Sequence, residues 1–315
     1  MAVGFIQPLV SSNQQPSSMY HIPVLLHECI DGLAIQPDGV YIDATFGGGG
    51  HSREIMKHLG AEGRLIGFDQ DADAAKNAID DERFTLIRAN FRHMRRFLRL
   101  EGIAQVDGIL ADLGVSSHQF DEGSRGFSYR FEGPLDMRMS QGDSTTAADV
   151  LNTYDAEDLQ KIFSEYGELR NAKTFAHAIV AKRMQNPFRT TADLRAICEQ
   201  EVKGELHRYM AQVYQALRME VNDELGALRD LLTESKELLK PGGRLAVITF
   251  HSLEDRLVKN YMKHGTFEDE PEKDFFGNFE KHWKLITKKP ITAGAEESKK
   301  NSRSHSAKLR VAERV

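Results

Sequence analysis

The sequence has few of the residues that build disulfide frameworks, metal sites or membrane spans. Its 315 residues include two cysteines, Cys29 and Cys198, which lie far apart and form no CxxC pair. A disulfide framework and a cysteine zinc site are therefore not expected, and a reducing compartment fits this cysteine usage. The histidines His51, His118 and His251 have no metal-ligand spacing, so we expect no catalytic metal.

Long apolar runs are also missing. No stretch approaches the roughly 20 residues that a membrane helix needs, so we expect no membrane association. Residues 1–19 have no charged side chain and only short apolar stretches. Because a signal peptide needs a basic start and an apolar core, we expect a cytoplasmic protein. Residues 1–20 are rich in Ser, Gln, Asn and Pro, which predicts a disordered tail.

Positive charge is scarce overall but is unevenly distributed. The net charge of −6 argues against a protein that coats nucleic acid, because phosphate contacts need Lys and Arg. However, Phe84–Leu100 contains five Arg and no acid, and Lys281–Val315 contains ten Lys and Arg against three acids. The sequence therefore allows a local basic surface, although both segments could equally be ordinary solvated faces.

Short apolar runs alternate with helical stretches in the first third of the chain. Gly39–Phe46, Arg64–Asp69, Phe84–Arg88 and Val106–Asp112 are predicted to be strands, and Ala72–Ile79 a helix between two of them. This alternation indicates βαβ units and a parallel sheet. We therefore predict an α/β fold with a Rossmann-like sheet.

The alternation stops at about residue 119 and resumes at about residue 220. Helical patterns fill the interval, with Asp155 and Thr191 as candidate N-caps. We predict a sheet domain formed by residues 21–118 and 220–315, and an inserted helical domain at residues 119–219. After a strand at Arg244–Phe250, two late runs, residues 284–291 and 306–312, suggest an antiparallel edge pair.

A glycine-rich motif, Asp43-Ala-Thr-Phe-Gly-Gly-Gly-Gly-His51, follows the first predicted strand. Glycines at this place let the backbone approach a ligand closely, although a tight turn alone could require them. Asp69 ends the next strand, where an acid in a Rossmann-like sheet binds a ribose diol. Ser52 occupies the third glycine position of the dinucleotide pattern. Because the Asp43 carboxylate suits a cationic methionine moiety better than a pyrophosphate, the motif favours S-adenosylmethionine over a nicotinamide dinucleotide.

Two further strand ends have polar side chains. Asp112 ends the fourth predicted strand, where a carboxylate could orient an exocyclic amine and take up its proton; a loop-capping role is the plainer alternative. Thr249-Phe-His-Ser-Leu-Glu-Asp-Arg256 follows the fifth strand. His251 and Ser252 are candidate site residues, although Ser252 could serve only as the N-cap of a helix over Leu253–Met262.

The segment Ser124–Arg138 alternates arginines with aromatic residues. Arg125, Arg130 and Arg138 are interleaved with Phe127, Tyr129 and Phe131. Such a pattern could bind RNA, with aromatics stacking on bases and arginines meeting phosphates. An ordinary packed loop explains it equally well.

Taken together, the motifs resemble the RsmH/MraW family, the bacterial methyltransferases that act on N4 of a cytidine in the decoding centre of small-subunit ribosomal RNA. The resemblance runs from about residue 21 to the C-terminus. It rests on Thr45-Phe-Gly-Gly-Gly-Gly-His-Ser, Asp112-Leu-Gly-Val-Ser-Ser, Arg125-Gly-Phe-Ser, Gly133-Pro-Leu-Asp-Met-Arg-Met, Phe250-His-Ser-Leu-Glu-Asp-Arg and Ser306-Ala-Lys-Leu-Arg-Val-Ala-Glu-Arg.

This resemblance implies a class I S-adenosylmethionine-dependent methyltransferase sheet with an inserted helical domain for substrate recognition. It also implies that the substrate is ribosomal RNA in the assembled small subunit and that homodimers occur. Asp112, His251 and Ser252 are the expected catalytic residues, and Phe250, Phe127 or Tyr129 could clamp the base. The expected cofactor residues are Asp43, Gly49, Gly50, His51, Asp69, Phe91, Asp112 and Gln119.

Two other functions stay open on the residues alone. A nicotinamide-dependent oxidoreductase would bind a pyrophosphate at the glycines. A non-catalytic RNA-binding assembly protein would keep the basic segments without needing a methyl donor.

Overall fold

The computed structural model describes residues 23–271, 275, 277 and 279–315. The predicted N-terminal tail, residues 1–20, lies outside the described residues. Seven strands form one mixed sheet: β1 (Val40–Asp43), β2 (Arg64–Asp69), β3 (Phe84–Arg88), β4 (Val106–Asp112), β5 (Leu239–Thr249), β6 (Trp283–Leu285) and β7 (Lys308–Arg314).

The strand order is β3-β2-β1-β4-β5-β7-β6. The first five strands are parallel, whereas β7 is antiparallel to both β5 and β6. The order reverses between the neighbours β1 and β4, which creates the crevice where open α/β sheets bind their ligands. The predicted α/β class with a Rossmann-like parallel sheet is confirmed, and so is the antiparallel edge pair.

Twelve α-helices accompany the sheet in the described part of the chain. They are α1 (Leu26–Leu33), α2 (Gly50–His58), α3 (Met94–Leu100), α4 (Ser117–Asp121), α5 (Ala147–Thr153), α6 (Ala156–Glu165), α7 (Ala172–Arg183), α8 (Thr191–Glu201), α9 (Leu206–Val221), α10 (Glu224–Leu238), α11 (Ser252–His264) and α12 (Ala295–Lys300). None of them combines the length and the apolarity needed to span a bilayer.

The sheet has a hydrophobic core on each face. On one face, α1 and α2 pack on strand residues such as Tyr41 and Leu110. On the other face, α3, α10 and α11 pack on residues such as Ile109 and Val247. The strands read as nearly continuous apolar runs because both of their faces are buried.

Helices α5 to α9 have a third core of their own. Phe163, Phe175 and Tyr209 stack edge to face at its centre, with ring centroids 4.9 and 5.5 Å apart. The last of these helices, α9, runs to Val221 and so crosses the domain boundary placed at residue 220. The division of the chain at residues 118 and 220 stays a prediction.

Three local predictions differ from the structure. Ala72–Asn77 forms a 3₁₀ segment rather than a helix to Ile79, because Asp71 caps a short turn. Thr190, not Thr191, caps α8, since its side chain accepts a hydrogen bond from the Asp193 amide. Asp155, by contrast, caps α6 as predicted.

Candidate active site

The candidate site lies at the carboxyl edge of the sheet, where four strand ends meet the crevice. The glycine turn follows β1, Asp69 ends β2, Asp112 ends β4, and His251 follows β5. Parallel strands bring these residues to one edge although more than 200 residues separate the first from the last. The strand topology therefore assembles the site from residues that are distant in the sequence.

The glycine turn leads directly into α2 and has no room for larger residues at Gly49 and Gly50. Gly49 is the N-cap, with φ +72°, and a Cβ added there would lie 2.8 Å from the Phe46 ring and 2.7 Å from the Arg53 guanidinium. At Gly50 a Cβ would overlap Pro23. A Cβ at Gly48 would meet nothing within 4 Å, so the turn presents bare backbone to open space.

Asp69 joins the end of β2 to this turn. Its Oδ2 accepts a hydrogen bond from the Gly47 amide at 2.8 Å, and its Oδ1 accepts one from the Asp71 amide at 2.8 Å. Burial raises the pKa of the carboxyl to about 6. Each oxygen keeps a second lone pair that could accept a hydrogen bond from a ribose hydroxyl.

Asp43 is more deeply buried than its proposed cofactor role requires. Its side chain is nearly inaccessible, and its oxygens accept hydrogen bonds from the Ser52 hydroxyl at 2.6 Å and the Thr45 amide at 3.1 Å. Burial raises its pKa, while His51, Ser52 and Thr45 lower it. Ser52, at the third glycine position of the dinucleotide pattern, thus donates a hydrogen bond to Asp43.

The hydrogen bonding of the Asp112 side chain is incomplete. Its amide donates to Thr45 Oγ1 at 2.7 Å, which ties the end of β4 to that of β1. Its Oδ1 is buried and has no hydrogen-bond partner among the described residues, while Oδ2 lies 3.9 Å from His51 Nδ1. Burial raises the pKa to about 6, against a lowering by His51. A buried acceptor without a donor is costly in a protein that binds nothing.

Gln119 lies in a buried network with Asp71 and Arg125. Its Nε2 donates to Asp71 Oδ2 at 2.8 Å, and Arg125 Nη1 donates to the same oxygen at 2.9 Å. Its Oε1 accepts from the Ser116 amide in a capping box at the start of α4. The network holds the loop after β4 against the loop after β2, and so closes one side of the crevice.

Much of the arginine and aromatic segment is packed rather than exposed. Arg125 is buried on Asp71, and Arg138 pairs with Asp136 at 2.7 Å. Phe127 belongs to the helical core, and Tyr129 packs edge to face on Tyr214. The RNA-binding interpretation is therefore wrong for these four residues, because each is already engaged inside the protein. Arg130 and Phe131, by contrast, are exposed.

The residues after β5 form a tight helix start. His251 is the N-cap of α11, and its Nδ1 accepts from the Glu254 amide at 3.4 Å. Ser252 is the first helical residue, so its predicted N-cap role is wrong. Glu254 is buried, and the adjacent His251 and the Phe250 amide help to hold its pKa below the usual value against the effect of burial.

The C-terminal segment reaches the site, which no local sequence signal indicated. Arg303 Nη2 donates to the Val115 carbonyl at 3.1 Å, and its guanidinium lies 5.8 Å from the centre of the Phe120 ring. Burial lowers the pKa of Arg303, and the charge of Asp112 opposes that lowering. The segment is therefore part of the crevice wall.

Of the remaining predicted residues, Phe91 lies just after β3, partly buried against the core of that face. Phe250 is also partly buried, with its ring 3.6 Å from the position of a Gly114 Cβ. It is the one proposed base clamp that the structure leaves beside the end of β4. Ser252 is exposed, and its hydroxyl lies 3.5 Å from Glu168 Oε1.

Comparisons with known proteins agree with these features. Residues 18–315 match the MraW methylase family. The Ribosomal RNA small subunit methyltransferase H of Flavobacterium johnsoniae is 54% identical over 94% of this chain and 98% of its own length. That of Phocaeicola vulgatus is 54% identical over 95% and 99%. A putative rRNA methylase structure from Clostridium thermocellum is 14% identical, covers 94% of this chain and all of that one, and has a TM-score of 0.43.

Proposed function

Because this chain belongs to the MraW methylase family, we propose that it transfers a methyl group from S-adenosylmethionine to the exocyclic N4 of a cytidine in the decoding centre of small-subunit ribosomal RNA. The observation that carries the proposal is Asp112 at the crevice, whose Oδ1 is buried and has no hydrogen-bond partner among the described residues. Neither an oxidoreductase nor a non-catalytic assembly protein explains that acceptor as well.

The residues around the glycine turn fit the proposed cofactor. When bound, S-adenosylmethionine supplies an electrophilic methyl group on a sulfonium. Gly48 presents its backbone to open space beside Gly49 and Gly50, so a ligand would lie close to this turn at the start of α2. Asp69 would bind a ribose diol. The negative charges of Asp43 and Asp112 lie at adjacent strand ends and would attract a cation.

Phe91, Gln119 and His51 complete the proposed cofactor set. Phe91 follows β3, the strand next to β2, so its ring would pack on an adenine that extends beyond the ribose. Gln119 is held by Asp71 and Ser116, and therefore has a fixed orientation. His51 lies in the first turn of α2, with its Nδ1 3.9 Å from Asp112 Oδ2.

For catalysis, Asp112 would accept a hydrogen bond from the N4–H of the cytosine and so aim the nitrogen lone pair at the methyl group. It would also take up the proton that N4 loses. His251 and Ser252, which lie at the end of β5, would help to hold the splayed-out base, with Phe250 as the adjacent ring. The target nucleotide is single-stranded in this account, since a paired N4 is engaged.

Exposed cations at the same edge would hold the RNA backbone. Arg88, Arg95 and Arg96 are exposed after β3, whereas Arg92 is not available, since it pairs with Asp223 at 2.8 Å and with Asp230. Further exposed cations lie in the segment before β7: Lys288, Lys289, Lys299 and Lys300. This segment pairs with β7 at Ile291 and so extends along the carboxyl end of β5.

Incubation of the protein with labelled methyl donor and purified small subunits tests the proposal. We expect label in the ribosomal RNA of assembled subunits lacking this modification, and less label in the naked RNA. Label transferred only to another acceptor would contradict the ribosomal RNA assignment. We further propose that the protein works in the cytoplasm and that it forms a homodimer. A mass measurement in solution checks the homodimer.

Replacing Gly49 with Ala should weaken cofactor binding at least tenfold. Gly102 is the matched control, because it has nearly the same φ (+70° against +72°) but its Cβ would meet nothing within 4 Å. Both variants pay about 1–2 kcal/mol for the left-handed backbone, while only Gly49→Ala also displaces Phe46 and Arg53. Calorimetric titration with S-adenosylmethionine measures the difference, and equal affinities would show that the glycine turn does not contact the cofactor.

Methyl transfer should fail in acid. Since burial raises the pKa of Asp112 to about 6, the carboxylate is lost as the pH falls through that value. The ionised form is the one that accepts the amine hydrogen, so kcat/KM should fall tenfold per pH unit below about pH 6 and be flat above it. A profile measured between pH 5 and 8 by labelled-methyl transfer checks this, and a profile flat to pH 5 would contradict it.

A further inference from the structure

Residues 23–25, which lead into α1, lie against the start of α2. Pro23 is so close to Gly50 that a Cβ added at Gly50 would overlap the proline ring. The carbonyl oxygen of Val24 accepts a hydrogen bond from His51 Nε2 at 3.1 Å. Because Gly50 and His51 belong to the proposed cofactor set, the placement of residues 23–25 helps to set the placement of both.

The backbone of Leu25 depends on an outside partner for this arrangement. Leu25 has φ +52° and ψ +38°, in the left-handed region that residues with a side chain rarely adopt. Such a conformation persists only where the surrounding structure holds it. The residue is fully buried in the core of that sheet face, and as the N-cap of α1 its amide has no acceptor within the helix.

The partner of this amide is Glu297 in α12, 272 residues later in the chain. Its Oε1 accepts a hydrogen bond from the Leu25 amide at 2.8 Å. A buried amide without an acceptor is costly, so this bond favours the observed placement of Leu25. The C-terminal segment is fastened at a second point, where Arg303 donates to the Val115 carbonyl at 3.1 Å. It therefore joins the glycine turn, through residues 23–25, to the loop that follows Asp112.

We propose that Glu297 is a positioning residue for S-adenosylmethionine: its bond to the Leu25 amide holds residues 23–25 against the start of α2. This inference rests on the cofactor site of the proposed function. Without the bond, residues 23–25 leave this arrangement for part of the time. The apparent affinity for the cofactor then falls with the fraction of molecules that keep the arrangement.

The test measures the affinity for S-adenosylmethionine by calorimetric titration, without RNA. Glu297→Ala removes the acceptor and should raise the Kd about tenfold, which is within the range for a buried amide left without a partner. Glu297→Gln keeps an oxygen in the same place and should recover most of the affinity.

Glu296→Ala is the matched control for these variants. Glu296 is next to Glu297 in the first turn of α12, but it is exposed. Its side chain has no hydrogen bond or ion pair within the described ranges of the chain. The control removes the same charge from the same helix turn, and its Kd should match that of the parent protein.

A purely structural role of Glu297 would give a different result. Glu297→Ala would then unfold at a lower temperature while its Kd for the cofactor stayed at the parent value, and that outcome would overturn the proposal. Equal losses of affinity in Glu297→Ala and Glu297→Gln would also overturn it, because the charge of Glu297, rather than its bond to the Leu25 amide, would then be responsible.

A second measurement needs no variant. Amide hydrogen exchange of the parent protein should show the Leu25 amide protected, and saturation with S-adenosylmethionine should slow its exchange further. An exchange rate at Leu25 that the cofactor leaves unchanged would contradict the proposal. If the parent protein binds S-adenosylmethionine but methylates no ribosomal RNA, the proposed function fails, while the affinities and the exchange rates still test the role of Glu297.

Discussion

Replacing Asp112 with Asn should lower kcat by about 10² to 10⁴, the range for loss of a positioned general base. The amide has the same shape, but its oxygen is a weaker acceptor and it cannot take up the proton from N4. Small-subunit binding should change less than threefold, because Asp112 contacts one base edge and no phosphate in this account. Single-turnover transfer of labelled methyl groups measures the first quantity, and filter binding measures the second.

Asp107→Asn is the control on the same strand. Asp107 lies at the opposite end of β4, where it pairs with Lys240 at 2.8 Å, far from the crevice. Its substitution should leave kcat unchanged. Near-normal turnover in Asp112→Asn would remove Asp112 from the mechanism, and an equal loss in both variants would point to general destabilisation.

Replacing Arg125 with Ala should lower the free energy of unfolding by about 3–5 kcal/mol, since it leaves a buried charge without its partner. Arg125 and Asp71 are each only 6% exposed in their side chains and lie 2.9 Å apart. Arg125 Nη2 also donates to the carbonyls of Arg138 and Met139, which would lose their donor. Urea unfolding with a constant m-value measures the effect.

Arg130→Ala is the control for this substitution. Arg130 is five residues away and exposed, with its guanidinium 6.0 Å from the centre of the Phe120 ring. It should cost less than 1 kcal/mol. A similarly small cost for Arg125→Ala would mean that the Asp71–Arg125 pair does not hold the two loops together.

The sequence was sufficient for the features that repeat along the chain. Buried parallel strands have continuous apolar runs, and polar residues follow each run, so β1 to β5 and the residues at their carboxyl ends could be predicted. The expected reaction came from the family resemblance. The roles of individual site residues stay predictions.

Features that depend on a single bond or on distant partners could not be predicted in this way. Whether Thr190 or Thr191 caps α8 depends on which hydroxyl faces the Asp193 amide, and adjacent threonines give no sign of that. From the sequence alone, Arg125 can be interpreted as a phosphate contact. Its partner in the structure is Asp71, which lies 54 residues earlier in the chain. Arg303 reaches Val115 across 188 residues.

The most direct test of the central claim is the chemical identity of the methylated nucleoside. Small subunits treated with the protein and labelled S-adenosylmethionine are digested to nucleosides, which are separated and identified by mass spectrometry. We expect label in N4-methylcytidine, and no label when Asp112→Asn is used over the same time. Label in a carbon-methylated or ribose-methylated nucleoside would contradict it, because neither product needs a carboxylate that orients an exocyclic amine.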